Sequence, residues 1–353
     1  MTDKTNANNE NKPLCPIFGE CGGCQYQDIS YEEELRLKES ILHELFAQHL
    51  KKNPKKDFPF KNIVASPKQY HYRNRLDLRL LKTKDQNIFM GFSPVKGYRV
   101  VETDSCMIAE EAVSDFLPAL KSQAKAKLPL KYRNANLVVR TGDDGRVFWG
   151  GIGRRSLKMK EEDYFWTQIS GKKIFYSLDS FFQANLSILP LLIEKIKGLK
   201  VLDKKTSFFD LYGGVGFFGV VLFDCVKDVV LFEENIYATR LAAYNIRYHH
   251  LKNFTIIEGK IEDHLDRLSD GSSLRRVALI DPPRAGLSAK AAQYLAQKKI
   301  FNALFYLSCH PKSLVRDLAV FINNGWAIKT IIPFDFFPRT KHMETLALLT
   351  PDT

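Results

Sequence analysis

The chain has 353 residues, of which 45% are hydrophobic and 26% charged, and its formal net charge is +12. This length allows two domains with separate cores. The sequence has no apolar run near the roughly 18 residues of a membrane span and no signal-peptide pattern, so we expect a cytoplasmic protein. The positive charge favours a polyanionic partner, RNA or DNA, over a merely solvated basic surface.

Three cysteines follow a polar, Asn-rich segment, residues 1–13, that we expect to be a disordered tail. Cys15, Cys21 and Cys24 have the spacing C-x5-C-x2-C, which in a cytosolic chain indicates metal binding rather than disulfides. Cys106 is the best candidate for a fourth ligand. Four thiolates suit either zinc or a [4Fe-4S] cluster, so the spacing leaves both open, with unliganded thiols as a third interpretation.

The rest of the first half predicts one helix followed by short strands. Residues 31–50 have the apolar periodicity of a helix, and a charged linker, 51–59, follows it. Turns that contain glycine then separate five predicted strands, at 76–81, 88–92, 98–101, 137–140 and 147–149. Basic residues recur at 51–52, 55–56, 70–75, 121–131 and 154–155. We therefore predict a smaller β-rich domain, residues 14–175, that carries the cysteine site and binds RNA.

In the second half, strands and helices alternate, which indicates an α/β domain over residues 176–353. An apolar strand at 207–211 runs into the glycine-rich turn 213–216, and a second strand ends at Glu233, about 20 residues further on. Glycine admits close backbone approach and the acid accepts ribose hydroxyls, so the pattern predicts an adenosine-type cofactor. The turn is not the full G-x-G-x-x-G, which leaves a purely structural turn as the alternative.

Three more strand ends carry polar residues. Asp281 follows the predicted strand 277–280 and precedes two prolines, which indicates a rigid loop that contacts substrate or cofactor rather than a simple strand terminator.

Cys309 lies between a predicted buried strand, 304–307, and a helix that begins at Pro311. Ligands collect at such a position, and the helix dipole favours a thiolate, although a buried inert cysteine is the alternative. Glu344 opens the last apolar strand, where burial would raise its pKa and suit it to proton transfer, with a solvated strand-start residue as the alternative.

Six motifs occur in order from Cys15 to the C-terminus. Besides the cysteine site they are Ser-Phe-Phe-Gln-Ala-Asn at 180–185, Asp-Leu-Tyr-Gly-Gly-Val-Gly at 210–216, Asp-Pro-Pro-Arg-Ala-Gly at 281–286, Ser-Cys-His-Pro at 308–311 and Phe-Pro-Arg-Thr-Lys-His-Met-Glu at 337–344. Together they resemble the RNA uracil-5-methyltransferase family, S-adenosylmethionine-dependent enzymes that form 5-methyluridine.

The resemblance implies a Rossmann-like methyltransferase domain with a mixed seven-stranded sheet, and a [4Fe-4S] cluster rather than zinc. It also implies that Cys309 is the nucleophile and Glu344 the general base. The cofactor contacts that it implies come from Gln183, Tyr212, Glu233 and Asp281.

The chain departs from the family pattern at three positions. Gly213 stands where the family commonly has Cys, Phe217 where a small polar residue is common, and Lys260 where Asp or Asn often contacts the adenine. Because the cysteine site begins at Cys15, we expect the chain to lack the N-terminal TRAM barrel of some members, which would make it similar to the shorter, cluster-bearing enzymes that act on 23S ribosomal RNA. The transfer-RNA enzymes, which lack the cluster, are the alternative, and we expect a monomer.

The chemistry of uracil requires a nucleophile and a base with different tasks. C5 is too weak a nucleophile to attack a sulfonium methyl, whereas thiolate addition to C6 makes C5 nucleophilic. A carboxylate must then remove the C5 proton, and the base must be flipped out of its RNA. An iron–sulfur redox enzyme and an RNA-binding protein without catalysis are the rival classes.

Overall fold

The structure is a computed structural model that describes residues 12–50, 58–85, 87–127, 134–151, 159–268 and 275–352. The predicted disordered tail up to residue 11, most of the charged linker, and the basic residues 131 and 154–155 lie outside these ranges. The helices are α1 (Tyr31–His49), α2 (Glu111–Asp115), α3 (Leu117–Lys127), α4 (Leu189–Gly198), α5 (Phe217–Leu222), α6 (Ile236–Tyr248), α7 (Ala289–Lys298) and α8 (Pro311–Asn323).

The strands are β1 (Arg75–Lys82), β2 (Ile88–Phe92), β3 (Val101–Glu102), β4 (Asn134–Thr141), β5 (Val147–Gly151), β6 (Phe165–Ile169), β7 (Lys172–Tyr176), β8 (Thr206–Leu211), β9 (Asp228–Glu233), β10 (Phe254–Glu258), β11 (Arg275–Ile280), β12 (Ala303–Ser308), β13 (Trp326–Phe334) and β14 (Glu344–Pro351). They form a five-stranded sheet, a two-stranded hairpin and a seven-stranded sheet. No helix in the described part of the chain is long and apolar enough to cross a membrane.

The five-stranded sheet, in the order β3-β2-β1-β4-β5, confirms the predicted β-rich first half. Its strands are antiparallel, and alternate residues of β1, Leu76, Leu78 and Leu80, are buried. This period of two places one face of the strand on a core. Helices α2 and α3 cover that face with apolar residues such as Leu117 and Leu120.

The seven-stranded sheet is mixed, in the order β10-β9-β8-β11-β12-β14-β13. The first five of these strands are parallel, and β14 is antiparallel to both of its neighbours. Every residue of β8 and β12 is buried, as expected for central strands covered on both faces. The sheet confirms the predicted methyltransferase-type α/β fold.

The structure differs from the sequence-based elements in three places. The predicted strand 98–101 is wrong, because only Val101–Glu102 pair with β2 and Tyr98 is 90% exposed on the preceding loop. Helices α2 and α3 and the hairpin β6–β7 were not predicted. Helix α3 has only weak apolar periodicity and contains several lysines, so its sequence resembles that of a solvated basic segment.

Two elements from the first half pack on the seven-stranded sheet. Leu42 and Phe46 of α1 lie in the same core as Phe209 of β8 and Phe321 of α8. Phe165 and Ile174 of the hairpin belong to the core on the sheet's other face. The first half therefore contributes directly to both layers that flank the sheet.

Candidate active site

The predicted site residues meet at the carboxyl edge of the seven-stranded sheet. Glu233 ends β9, Asp281 follows β11 and Cys309 follows β12, and these strands are parallel. Glu344 begins β14, which runs the other way and pairs Thr345 with Ser308. Continuing this register by one residue places Glu344 opposite Cys309, and opposite residues in antiparallel strands have Cβ atoms about 4.5–5.5 Å apart.

Cys309 is half-buried, and its surroundings disfavour the thiolate. Burial, with added repulsion from Glu344 and Asp281, raises the pKa of Cys309 to about 12, although Arg284 opposes the shift. This direction is opposite to the effect expected of the helix dipole at the start of α8. His310 is the N-cap of α8, and its Nδ1 accepts the Ser313 N–H.

Glu344 lies in an apolar setting, as the sequence predicted. Its side chain is buried, and its Oε2 atom has no hydrogen-bond partner. Burial raises the pKa of Glu344 well above its ordinary value, and Asp281 adds to the rise while Arg284 reduces it. Burial and the neighbouring Asp210 raise the pKa of Asp281 to about 7. Cys309, Asp281 and Glu344 thus form one cluster of acids whose ionisations oppose one another.

The loop that follows Asp281 is clamped onto helix α8. Arg316 donates to the carbonyl oxygens of Ala285 and Leu287, at 2.8 and 3.2 Å. The hydroxyl of Ser313 donates to the Arg284 carbonyl oxygen at 2.9 Å. These bonds, together with the two prolines, fix the backbone of Arg284 next to Cys309 and Glu344.

The glycine-rich turn is closed by the acid at the end of β9. The Gly214 N–H donates to Glu233 Oε2 at 2.9 Å, and the Asn235 N–H donates to Oε1 at 2.7 Å. Burial raises the pKa of Glu233, and these two N–H groups counteract part of the rise. Tyr212, just before the turn, has a left-handed backbone with φ of 64°, which marks a constrained position.

All four residues predicted to contact the cofactor line two cavities that share Tyr212. The larger has a volume of about 710 Å³, and Glu233 lies on its wall. The smaller, about 30 Å³, is lined by Gln183 and Asp281 together with the glycines of the turn. A nucleoside at the larger cavity and a charged amino-acid tail near the smaller one would match this division of polar groups, so the residues fit S-adenosylmethionine.

The three departures from the family pattern have clear positions. A Cβ atom at Gly213 would lie 2.6 Å from Leu231 Cγ, so Leu231 occupies the space that a larger residue 213 would need. Phe217 is buried and packs edge-on against Phe182, with ring centroids 5.8 Å apart. Lys260 is exposed on the wall of the larger cavity, where its ammonium group can only donate a hydrogen bond.

Two further residues belong to the site and were not singled out from the sequence. Asp210 is fully buried, accepts the Gly219 N–H at 2.9 Å and thereby ties β8 to α5. Burial raises the pKa of Asp210 to about 7. Phe181 is 71% exposed although it lines the smaller cavity, which is an unusual exposure for an aromatic ring. Its neighbours in the Ser-Phe-Phe-Gln-Ala-Asn motif were the available signal.

A buried arginine from the first half fixes the segment that carries Gln183. Arg140 of β4 donates to the carbonyl oxygens of Ser177 and Ser180, both at 2.8 Å, and of Phe182 at 3.1 Å. Its guanidinium carbon lies 4.5 Å from the ring centre of Tyr176. Burial lowers the pKa of Arg140 to about 9, and the three carbonyl groups satisfy most of its donors.

The four predicted ligand cysteines line one cavity of about 340 Å³. Burial raises the pKa of Cys24 to about 12, and the other three cysteines contribute to the rise. Within the described ranges, no three His, Cys, Asp or Glu side chains are arranged to hold a single metal ion. The thiols surround a space instead, and four thiolates there would need a cationic centre to offset their repulsion.

The chain is similar to known RNA methyltransferases. Residues 152–351 match the family described as tRNA (Uracil-5-)-methyltransferase. An uncharacterized RNA methyltransferase of Caldanaerobacter subterraneus subsp. tengcongensis is 28% identical, over 95% of this chain and 84% of that protein. The 23S rRNA (uracil(1939)-C(5))-methyltransferase RlmD of Haemophilus parainfluenzae is 26% identical, over 96% and 82%. The crystal structure of Pyrococcus abyssi tRNA (uracil-54, C5)-methyltransferase with S-adenosyl-L-homocysteine shares the fold, with a TM-score of 0.70, 22% identity and coverage of 94% and 86%.

The contact between positions 213 and 231 gives a stability prediction. The Gly213→Ala variant should lose about 1–3 kcal/mol of unfolding free energy, because its new methyl group overlaps Leu231. In a Leu231→Ala background the same change should cost less, since the overlapping atoms are gone. Chemical denaturation of the two single variants and the double variant measures this coupling, and strictly additive losses would contradict it.

Proposed function

Because the chain belongs to the tRNA (uracil-5-)-methyltransferase family and is an S-adenosylmethionine-dependent RNA methyltransferase, we propose that it methylates C5 of one specific uridine through a covalent uracil adduct. The observation that carries this mechanism is the register of β12 and β14, whose last pair is Ser308 and Thr345, so that Cys309 and Glu344 are the next residues at the edge where Asp281 lines the smaller cavity. A thiol just after one strand and a buried carboxyl group at the start of its neighbour are the two groups that the reaction needs.

Cys309 is the proposed nucleophile. Its sulfur adds to C6 of the uracil, so that the electron pair of the C5–C6 double bond becomes available at C5. Because burial raises the pKa of Cys309, its S–H proton must pass to water before the sulfur adds to C6 as a thiolate. The positive charge of Arg284 lowers the pKa of Cys309 and is the proposed stabiliser of the thiolate.

Glu344 is the proposed general base for the second half of the reaction. After C5 has gained a methyl group it still carries its proton, and the Glu344 carboxylate takes that proton. The electron pair of the C5–H bond then forms the C5–C6 double bond and expels Cys309 as a thiolate. The free Oε2 atom of Glu344 gives it an unused acceptor for this proton.

Gln183, Tyr212, Glu233 and Asp281 are the proposed cofactor contacts. When bound, S-adenosylmethionine supplies the methyl group. Glu233 would accept the ribose hydroxyls at the larger cavity, while Gln183 and Asp281 would orient the amino-acid end. Lys260 replaces the acceptor that the family offers to the adenine, while Glu262 and Ser288 are other acceptors on the wall of the larger cavity.

RNA is the proposed partner, and the target base would be flipped into the pocket. The exposed ring of Phe181 at the smaller cavity provides a surface for stacking on that base. On the first half, residues 95–99 form an exposed loop that contains Lys96, Tyr98 and Arg99. A tyrosine between two cations suits single-stranded RNA, because the ring stacks on bases and the cations contact phosphates.

A uridine in 23S ribosomal RNA is the proposed target. Support comes from the similarity to the enzyme of Haemophilus parainfluenzae over nearly the whole chain and from the four-cysteine site. Transfer RNA is the alternative, since the family description and the Pyrococcus abyssi structure both refer to it.

A [4Fe-4S] cluster on Cys15, Cys21, Cys24 and Cys106 is proposed as a second bound group. A cavity of about 340 Å³ with four thiols on its wall fits a multi-atom cluster better than a single ion, which would draw the thiols together. With four ligands in place no iron is open to substrate, so the cluster would organise the protein rather than react.

The division into a tail, 1–13, a cluster and RNA-binding domain, 14–175, and a methyltransferase domain, 176–353, remains our proposal. The separate sheets support it. Helix α1 and the hairpin β6–β7 pack on the larger sheet, so the boundary is a change of sheet and not a break in the core.

The two catalytic roles predict opposite outcomes for two variants. Cys309→Ala should neither methylate nor retain RNA, because no adduct forms. Glu344→Gln should accumulate a covalent RNA adduct that is already methylated and survives denaturing gel electrophoresis, without any added reductant. Normal turnover by Glu344→Gln, or an adduct with Cys309→Ala, would show that the roles are wrongly assigned.

The metal assignment predicts the iron content. Protein purified without oxygen should hold about four irons per chain and absorb broadly near 400 nm. Metal analysis and an absorbance spectrum test this. Stoichiometric zinc without that absorbance would refute the cluster.

The exposed loop predicts which residues bind RNA. Tyr98 and Arg99 are exposed on this loop, whereas Arg75 in the basic segment 70–75 donates to Asp77 at 2.8 Å, so Tyr98 and Arg99 are the residues chosen for substitution. Tyr98→Ala should weaken RNA binding by about 1–3 kcal/mol, and Arg99→Ala should reduce the salt slope by about one. Filter binding across salt concentrations measures both, with Lys195→Ala on α4 as the control for loss of an exposed charge. Equal affinities for all four proteins would exclude this surface.

A further inference from the structure

Arg339 lies in the loop that precedes Glu344 and contacts the segment that follows Cys24. This β13–β14 loop, residues 335–343, connects the two strands whose last pair is Phe334 and Glu344. Arg339 lies within it and has a left-handed backbone, with φ of 66°. A side chain is strained in that conformation, so the surrounding contacts must hold it.

The backbone of Arg339 is bonded to the segment that follows Cys24. Its carbonyl oxygen accepts the N–H groups of Gln25 and Tyr26, at 2.9 and 3.1 Å. Its own N–H donates to Glu34 Oε1 of α1 at 2.8 Å. The residue next to a predicted cluster ligand therefore bonds directly to the loop that leads to the predicted base.

The side chain of Arg339 returns to the same segment. The guanidinium group donates to the Ile29 carbonyl oxygen at 3.2 Å and also bonds to Gln69. It lies between two aromatic rings, with its central carbon 5.5 Å from the centre of Tyr31 and 4.9 Å from that of Tyr70. Only 7% of the residue is exposed, so these contacts are protected from water.

A second tether runs in parallel. The Lys341 N–H donates to Gln25 Oε1 at 3.1 Å, while Gln25 Nε2 donates to the Gly22 carbonyl oxygen at 2.8 Å. Gln25 thus bridges the turn between Cys21 and Cys24 and the β13–β14 loop. The pairing of β13 with β14 includes Glu344, the β13–β14 loop leads directly into it, and within the described residues its buried Oε2 atom has no hydrogen-bond partner.

We propose that Arg339 is a positioning residue that holds Glu344 in place for removal of the C5 proton, and that it does so by fastening the β13–β14 loop to residues 25–29. This inference rests on the proposed function. The step concerned breaks the C5–H and C6–S bonds, forms the C5–C6 double bond and transfers the proton to Glu344. Methyl transfer comes earlier and does not use Glu344, so loss of Arg339 should slow one step and spare the other.

The experiment measures the two steps separately in a single turnover. The probe is 23S ribosomal RNA transcribed with uridine that carries tritium at C5, mixed with cofactor whose methyl group is labelled. Methyl incorporation reports the first step, and tritium release into water reports proton removal. Arg339→Lys keeps the charge but loses the planar guanidinium group that reaches Ile29 and Gln69 and lies over the rings of Tyr31 and Tyr70, so it should not rescue the function.

We expect Arg339→Lys to transfer the methyl group at nearly the normal rate and to release tritium about 10- to 100-fold more slowly, because a misplaced catalytic group reacts slowly. Methylated covalent RNA adduct should accumulate on denaturing gels. Gln25→Ala, which removes one tether without emptying a buried site, should shift the same ratio in the same direction and by less. Arg247→Ala removes an exposed ion pair with Glu161 and should leave the ratio unchanged.

Three results would decide against the inference. A normal ratio of tritium release to methyl transfer in Arg339→Lys and Gln25→Ala would overturn it. Equal loss of both steps in Arg339→Lys would show a merely structural role and would also overturn it. Absence of tritium release from the unmodified enzyme, together with no adduct in Glu344→Gln, would instead refute the proposed function, and the inference with it.

Discussion

The buried ammonium group of Lys38 on α1 holds the β13–β14 loop, which leads to the proposed base Glu344, against the rest of the protein. Its Nζ atom donates to Glu34 Oε1 at 2.7 Å, Asp335 Oδ1 at 2.6 Å and the Phe337 carbonyl oxygen at 3.2 Å. All three charged groups are fully buried, and burial raises the pKa of Glu34 to about 7. Removing one partner from such a group leaves an uncompensated charge, which typically costs about 3–5 kcal/mol. The loop is therefore fixed by geometry that tolerates few alternatives.

A second buried cation, Arg140, holds the segment that leads to Gln183. Arg140 holds the carbonyl groups of residues 177–182, and Gln183 follows directly. Lys38 and Arg140 both lie before residue 152, where the match to the methyltransferase family begins. Residues before position 152 thus hold two segments of the family-matched part of the chain, the β13–β14 loop ahead of Glu344 and the segment ahead of Gln183.

The sequence was most informative where one pattern, an apolar strand that ends at a functional residue, recurs along the chain. Strands β8, β9, β11 and β12 are apolar runs that end at a glycine, an acid or a cysteine, so both the sheet and its active edge were predictable. The role of Lys38 was not, because a glutamate and a lysine at i and i+4 on a helix normally mark its solvated face. The raised pKa of Cys309 was missed for a similar reason. It depends first on burial and then on Glu344 and Asp281, which are distant in sequence and close to Cys309 only in the folded chain.

Burial is the main cause of the raised pKa values at the carboxyl edge of the sheet, and neighbouring acids add to it. Asp210, Asp281 and Glu344 all have raised pKa values, and the first two are close to 7. A site with this character resists holding several negative charges at once. The proposed reaction needs only two negative charges at this site, and it uses them one after the other.

The repulsion between a Cys309 thiolate and a Glu344 carboxylate constrains the order of the proposed reaction. A charge on Glu344 raises the pKa of Cys309, so the two groups resist being ionised together. Once the sulfur is bonded to C6 it can no longer become a thiolate, and ionisation of Glu344 no longer competes with it. Arg284 lowers the pKa of both groups, so the same cation would serve the proposed nucleophile first and the proposed base second, provided that the β13–β14 loop keeps Glu344 near Cys309.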